Sequence, residues 1–284
     1  AYAVSYDLAG GTLEEGASNP VSYTYFDDDV VLANPSKVGY AFAGWTGTGL
    51  DNAAMNVTIA KNSTGDRSYV ATWTPNANTA YAVEHYFQNV EGDGYTLDAA
   101  KTQSLSGTTD AETSAVALEV AGFTAKAVSQ KMIAGDGSTV VEIRYDRNVH
   151  TLSYAYAGTV PDGASALPDA RQLRYGAPVA TAAQATAPGY TFGGWGVAEG
   201  YTMPDEDVEL TGSFTANGDT AYRVEHYRQS LDGVYQLVAA DELEGMTDSA
   251  VTAAPKTFTG FSYREDAPSS LASGTVKGDG SLVL

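Results

Sequence analysis

The chain contains no cysteine in 284 residues, which removes disulfides, thiolate nucleophiles and thiolate-bound metal together. Cations are scarce as well: 15 Lys and Arg stand against 35 Asp and Glu, a net charge of −20. Nucleic acid and anionic membranes both require a basic patch to displace counterions, so neither is an expected partner. No apolar run approaches the roughly 18 residues of a membrane-spanning helix, and no membrane insertion of this segment is expected. Catalytic motifs are missing too: there is no GxSxG elbow, HExxH pair, GxxxxGK[ST] loop or GxGxxG turn. Small secreted eukaryotic modules usually carry disulfides, so a cysteine-free acidic chain fits a bacterial exported protein better.

What is present is present twice. AYAVEHY (80–86) returns as AYRVEHY (221–227), VGYAFAGW (38–45) as PGYTFGGW (188–195), and GDGSTVV (135–141) as GDGSLVL (278–284). Self-similarity at a fixed spacing marks an array of units rather than one enzyme domain. The order resolves into four modules of two alternating types: a W module at 1–77, a V module at 78–147, a second W module at 148–217 and a second V module at 218–284. Each has about 70 residues, a size that buries only about 60% of its unfolded surface, so neighbouring repeats of the chain are expected to support one another. The first V module continues EIRYDR (142–147) after GDGSTVV, whereas the second copy stops at Leu284, so its last strand is expected to be cut short.

Alternation and an enrichment in β-branched and aromatic residues predict strands over 3–8, 81–87, 140–145, 150–157, 208–214 and 222–228. GDGS at 135–138 and 278–281 reads as a hairpin turn, because Asp-Gly accepts the positive φ that tight hairpins need. EGDGY (91–95) and LDGVY (231–235) mark a further hairpin in each V module. TDAETSAVALEV (109–120), with capping residues ahead of apolar spacing, predicts a short helix. Pro255 limits its counterpart at 247–258 to a turn or two, and the Ala-rich 180–187 is a second helix candidate. The joints TPNANT (74–79), DRNVH (146–150) and TANGDT (215–220) are short, which predicts an elongated array of limited bending. Trp45 and Trp73 are separated by 28 positions but Trp195 and its equivalent Phe214 by 19, so the first W module carries extra residues in surface loops.

At these residues the chain resembles two families. GYAFAGW followed by YVATWTPN (69–76), and GYTFGGW followed by TMPDEDVELTGSFTAN (202–217), are similar to the Listeria–Bacteroides repeat, the family of the internalin B-repeat. AYAVEHYFQNVEGDGYTL with GDGSTVVEIRYDRN (80–148), and its partial copy, resemble the mucin-binding-protein-like (MucBP-type) repeat. The resemblance implies a mainly β fold of tandem β-grasp or ubiquitin-like modules, each a small sheet crossed by a short helix or loop. It implies an extracellular place in a bacterial surface protein attached to the cell wall through a region outside this segment. It implies a non-enzymatic stalk that presents an adhesive region, or adhesin modules that themselves bind host mucin glycans or a host surface protein. No catalytic set comes with it.

The recurrent aromatics are expected in the cores: Tyr40, Trp45 and Trp73 in the first W module, Tyr190, Trp195 and Phe214 in the second, and Tyr81, Tyr86, Tyr222 and Tyr227 in the V modules. An exposed glycan-stacking role is the rival reading for the tryptophans, whose Gly-rich approaches favour burial beneath a turn. His85 and His226 sit alone in their modules, without the partner ligands a metal needs, and read as structural or surface residues; His150 has no repeat partner. Asp27, Asp28 and Asp29, and Asp205, Glu206 and Asp207, lack calcium-loop spacing and read as solvated turns. The second W module has no lysine, which excludes a shared Lys–Asn cross-link; Lys37, Lys101, Lys126, Lys131 and Lys256 remain elsewhere. No catalytic residue, metal ligand or cofactor is expected, and no ligand-binding residue is assigned.

Overall fold

A computed structural model describes residues 1–284. The chain is nearly all β, and it divides into two compact units, Ala1–Arg147 and Asn148–Leu284. Each unit holds two separate hydrophobic cores, one per module.

In the first unit the W module comprises β1 (Tyr2–Asp7), β2 (Ser22–Tyr23), β3 (Val30–Val31), β4 (Tyr40–Gly47), β5 (Thr58–Ile59) and β6 (Arg67–Pro75). Its main sheet runs β2-β1-β6-β4, with β1 and β6 parallel at the centre and the outer pairs antiparallel. The V module comprises β7 (Thr79–Gln88), β8 (Tyr95–Leu97), β9 (Gln103–Gly107), β10 (Phe123–Ala125) and β11 (Val140–Arg147). Here β7 and β11 form the parallel central pair, flanked by β8 and β9 on one side and β10 on the other. Both sheets therefore share the β-grasp strand order. In each, the first and last strands are side by side, and the chain between them must cross the sheet.

That crossing is extended rather than helical, contrary to the expectation for 109–120. Asp110 turns at φ +64°, and the backbone beyond it bonds across the module: Thr113 N–H donates to Lys131 O at 2.8 Å, and the Gln130 side chain grips Ala115 N and O at 3.0 and 2.8 Å. With its donors committed to another segment, the stretch cannot close i to i−4 bonds. The single helical turn is a short 3₁₀ segment, Ala99–Lys101, capped by Asp98.

In the second unit the W module has β12 (Val149–Tyr156), β13 (Arg171–Arg174), β14 (Tyr190–Phe192), β15 (Val208–Gly212) and β16 (Phe214–Ala216). The parallel pair β12 and β15 repeats the central motif, and β14 pairs with β16 as β4 pairs with the end of β6. The V module has β17 (Thr220–Gln229), β18 (Tyr235–Gly245), β19 (Ala250–Thr252) and β20 (Ser273–Thr275). Residues 282–284 lie along β17: Arg223 N–H donates to Leu282 O at 3.0 Å, Leu284 N–H to Arg223 O at 2.8 Å and Glu225 N–H to Leu284 O at 2.8 Å. The candidate helix 180–187 is irregular, and its Ala183 carbonyl accepts the Trp195 indole N–H at 3.0 Å.

Burial follows strand period. In β7, Tyr81, Val83 and His85 face the core while Glu84 and Tyr86 face outward. Trp45 and Trp195 are buried, and Trp73 and Phe214 pack half-buried against their cores. Tyr81 and Tyr222 are buried as well. In the V modules two expected core residues are not in the core: Tyr86 is half-buried on the outer face, donating to Glu84 at 2.7 Å, and Tyr227 is 50% exposed, donating to Glu225 at 2.6 Å. A tyrosine five positions after an inward Tyr81 or Tyr222 must point the other way along a regular strand. The EGDGY and LDGVY segments do close hairpins, β7–β8 and β17–β18. GDGS does not; it is a tight turn that leads into the strand parallel to β7, with Gly137 N–H donating to Ala134 O.

Candidate functional site

The arrangement common to both units is a joint between each W module and the V module that follows it. The GY turn ahead of Trp45 supplies one side and the GDGS turn the other. Gly39 sits at φ +80°, and a Cβ there would fall 2.8 Å from the Gly135 carbonyl oxygen. A Cβ on Gly135 would fall 2.5 Å from the Val38 carbonyl oxygen. The two backbones touch without room for a methyl group, which is what glycine permits and any other residue prevents. In the second unit a Cβ on Gly189, at φ +76°, would lie 2.9 Å from the Gly278 carbonyl oxygen.

The linker is bonded to both sides. Asn76 N–H donates to Gly39 O at 2.9 Å, and Asn76 O accepts Thr109 N–H at 2.9 Å. Asn217 does the same between Gly189 O and Thr247 N–H, each at 2.9 Å. Beneath it, buried hydroxyl pairs tie the start of each V module to its crossing segment: Thr79 with Thr109 at 2.7 Å, and Thr220 with Thr247 at 2.6 Å. A tyrosine of the W module then reaches an aspartate of the V module. Tyr40 donates to Asp110, and Tyr190 to Asp248. Both aspartates are left-handed, at φ +64° and +65°, a conformation that Asp tolerates better than most residues. The hydrogen bond to the carboxylate is the main cause that raises each tyrosine's pKa above its ordinary value. In the first unit Lys37 also lies over the Tyr40 ring, 4.2 Å from its centroid. Tyr40 and Tyr190, expected in the cores, are thus half-buried joint residues. The signal that sets them apart in the sequence is their position directly after a glycine that turns.

The histidines of the two V modules differ. His85 is fully buried, with Nδ1 2.7 Å from the Tyr145 hydroxyl, which also accepts Leu118 N–H at 2.8 Å. Burial pushes its pKa below the ordinary value, with the Gln103 side chain acting the other way. His226 is half-buried, with Nε2 3.1 Å from Asp241. His150 Nε2 lies 2.8 Å from Asp205.

The acidic runs hold turns. Asp27 accepts Thr24 N–H and O–H at 2.8 and 2.9 Å, Asp29 accepts Lys61 N–H at 2.8 Å, and Asp207 accepts Thr151 N–H at 2.7 Å. The lysines are engaged with carboxylates, carbonyls or rings: Lys101 with Asp98, Lys126 with Asp146, Lys256 with Asp241, and Lys131 with Val140 O.

A cleft of about 600 Å³ in the first V module has Phe87, Asp98, Lys101, Phe123 and Arg147 in its wall. Its charged groups are already used, Lys101 by Asp98 at 2.5 Å and Arg147 Nε by the Gln88 carbonyl at 2.7 Å. The joints, by contrast, are built in the same way in both copies. They bond each W module to the V module that follows it.

A family model described as the Listeria-Bacteroides repeat domain matches residues 2–72 and 150–221, which take in most of each W module and reach the start of β17. No curated protein matches the chain.

Proposed function

The chain belongs to the Listeria-Bacteroides repeat domain family, and on that premise we propose that it is a non-enzymatic repeat segment of a bacterial surface protein. In this reading each W–V pair is one rigid building block of an extracellular, cell-wall-attached stalk that presents an adhesive region. The observation that carries it is the joint. Glycine contacts, a doubly bonded asparagine and a Tyr–Asp bond recur in both units at corresponding residues. A spacer must hold a set distance under load, and a joint with backbone bonds on both sides of the linker supplies that.

Apart from 218–221 the V modules fall outside the matched residues, and their reading as MucBP-like rests on the VEHY and GDGS motifs alone. The rival function, adhesin modules that bind host mucin glycans, would draw on repetition, since weak sites in series gain from effective concentration. Small-angle scattering of the full chain tests the spacer reading. An elongated particle is expected; a compact one refutes it. A mucin-glycan array tests the rival, which predicts binding by the isolated chain.

A further inference from the structure

The first W module carries a feature that the second lacks. Residues 24–29, TYFDDD, form a turn in which Phe26 is 82% and Tyr25 45% exposed, their rings packed edge to face with centroids 5.4 Å apart. Neither ring belongs to the module's core, whereas Tyr6, Phe42, Trp45 and Trp73 all pack into it. The stretch that follows the second strand of the other W module reads YGAPV (175–179), without the aromatic pair and without the three aspartates.

The turn is held out by the other segment peculiar to this module, the insertion KNSTGDR (61–67). Asn62 N–H donates to Tyr25 O at 3.2 Å, from a residue at φ +67°. Lys61 N–H donates to Asp29 at 2.8 Å, and Lys61 Nζ meets Asp28 at 2.9 Å. Asp27 closes the turn on itself through Thr24. Two stretches that differ between the copies therefore meet, and together they display two aromatic rings beside three carboxylates and one ammonium.

We propose that this Tyr25–Phe26 turn is a docking surface for a basic, extended segment of a partner protein. Charge selects the occupant. Guanidinium and ammonium groups are drawn both to carboxylates and to ring faces, and here the two lie side by side. Elsewhere the chain seats its own cations on rings: Arg147 over Phe123 at 4.8 Å, and Arg228 over Phe258 at 5.2 Å. A second copy of this chain is a poor occupant, since each carries a net charge of −20. The inference goes beyond the spacer reading and leaves it untouched either way.

The test is calorimetric titration of the full chain with a nonapeptide of Lys-Arg-Gly repeated three times, at about 150 mM salt, where long-range attraction is screened. Saturable binding is expected. Tyr25→Ser with Phe26→Ser should weaken it roughly tenfold without changing the melting temperature, because neither ring contributes to the core. Tyr263→Ser, at an exposed aromatic of the second unit, should leave it unchanged. Equal binding by the wild type and the double variant would reduce the effect to net charge and overturn the proposal. So would absence of saturable binding, or binding of a neutral mucin-type oligosaccharide, lost in the double variant, in place of the peptide.

Discussion

Gly135→Ala should loosen the first joint and leave the second intact. The new Cβ would sit 2.5 Å from the Val38 carbonyl oxygen and 3.0 Å from Gly39 Cα, both backbone atoms that no side-chain rotation relieves. The W module must retreat, and retreat stretches the Asn76–Gly39 bond and the Tyr40–Asp110 bond with it. Overpacking of this kind costs about 1–3 kcal/mol. For a unit of the size of Ala1–Arg147, that lowers the melting temperature by about 3–9 °C. Calorimetry should show the loss in the transition of the first unit only, together with broadening as the W and V modules cease to melt as one. Gly218→Ala is the control: it has no atom within 4 Å of the added Cβ and should move neither transition. If Gly135→Ala also leaves both transitions where they were, the two modules do not lean on each other and the rigid-block argument fails.

His85 makes the first V module acid-sensitive. Burial lowers its folded pKa below the ordinary 6.5, so the unfolded chain binds the proton more readily. Stability is then full above pH 6.5 and declines as the pH falls from 6.5 toward the folded value. Thermal melts at pH 7.5 and 5.5 should show this decline, and His85→Phe should flatten it; an unchanged slope would remove His85 as the cause. At the alkaline end, Tyr40 and Tyr190 have folded pKa values above 10.0, so their contribution is present below pH 10 and lost as the pH rises through the folded values. The Tyr40→Phe, Tyr190→Phe double variant should melt with a shallower decline above pH 10 than the wild type, and an identical decline would exclude the joint phenols. Trp45→Ala, at a fully buried ring whose Nε1 donates to Asn34 at 3.0 Å, should cost about 3–5 kcal/mol in urea unfolding of the first unit. A midpoint unchanged from wild type would place that ring outside the core.

Strands were legible because their signal is local. Alternation around AVSYD, YAVEHYF and VVEIRY places those stretches in β1, β7 and β11. The crossing segment was not legible. Its capping residues and alanines favour a helix on propensity, but that weak preference yields to the pairing of Thr113 with Lys131 and of Ala115 with Gln130. The placement of Tyr86 and Tyr227 was within reach of the sequence, since strand period alone sets them opposite Tyr81 and Tyr222. Repetition led the other way, because a residue kept in both copies invites a core reading. Tyr40, Asp110 and Gly135 lie far apart in sequence, and no local pattern announces that they meet.

Constancy between the copies thus has two separable causes, and the histidines show which one the joint represents. VEHY is identical in the two V modules, yet His85 is sealed against Tyr145 while His226 is half-buried against Asp241. The same letters do not guarantee the same surroundings. At the joints they do: glycine meets glycine, asparagine bridges, and tyrosine reaches a left-handed aspartate in both units. A core tolerates changes of shape as long as volume is kept, whereas a backbone-to-backbone contact allows only glycine. The stricter demand falls on the joint. The geometry between each W module and the V module after it is therefore common to both copies, and the TYFDDD turn with its bracing insertion is a place where the first copy differs.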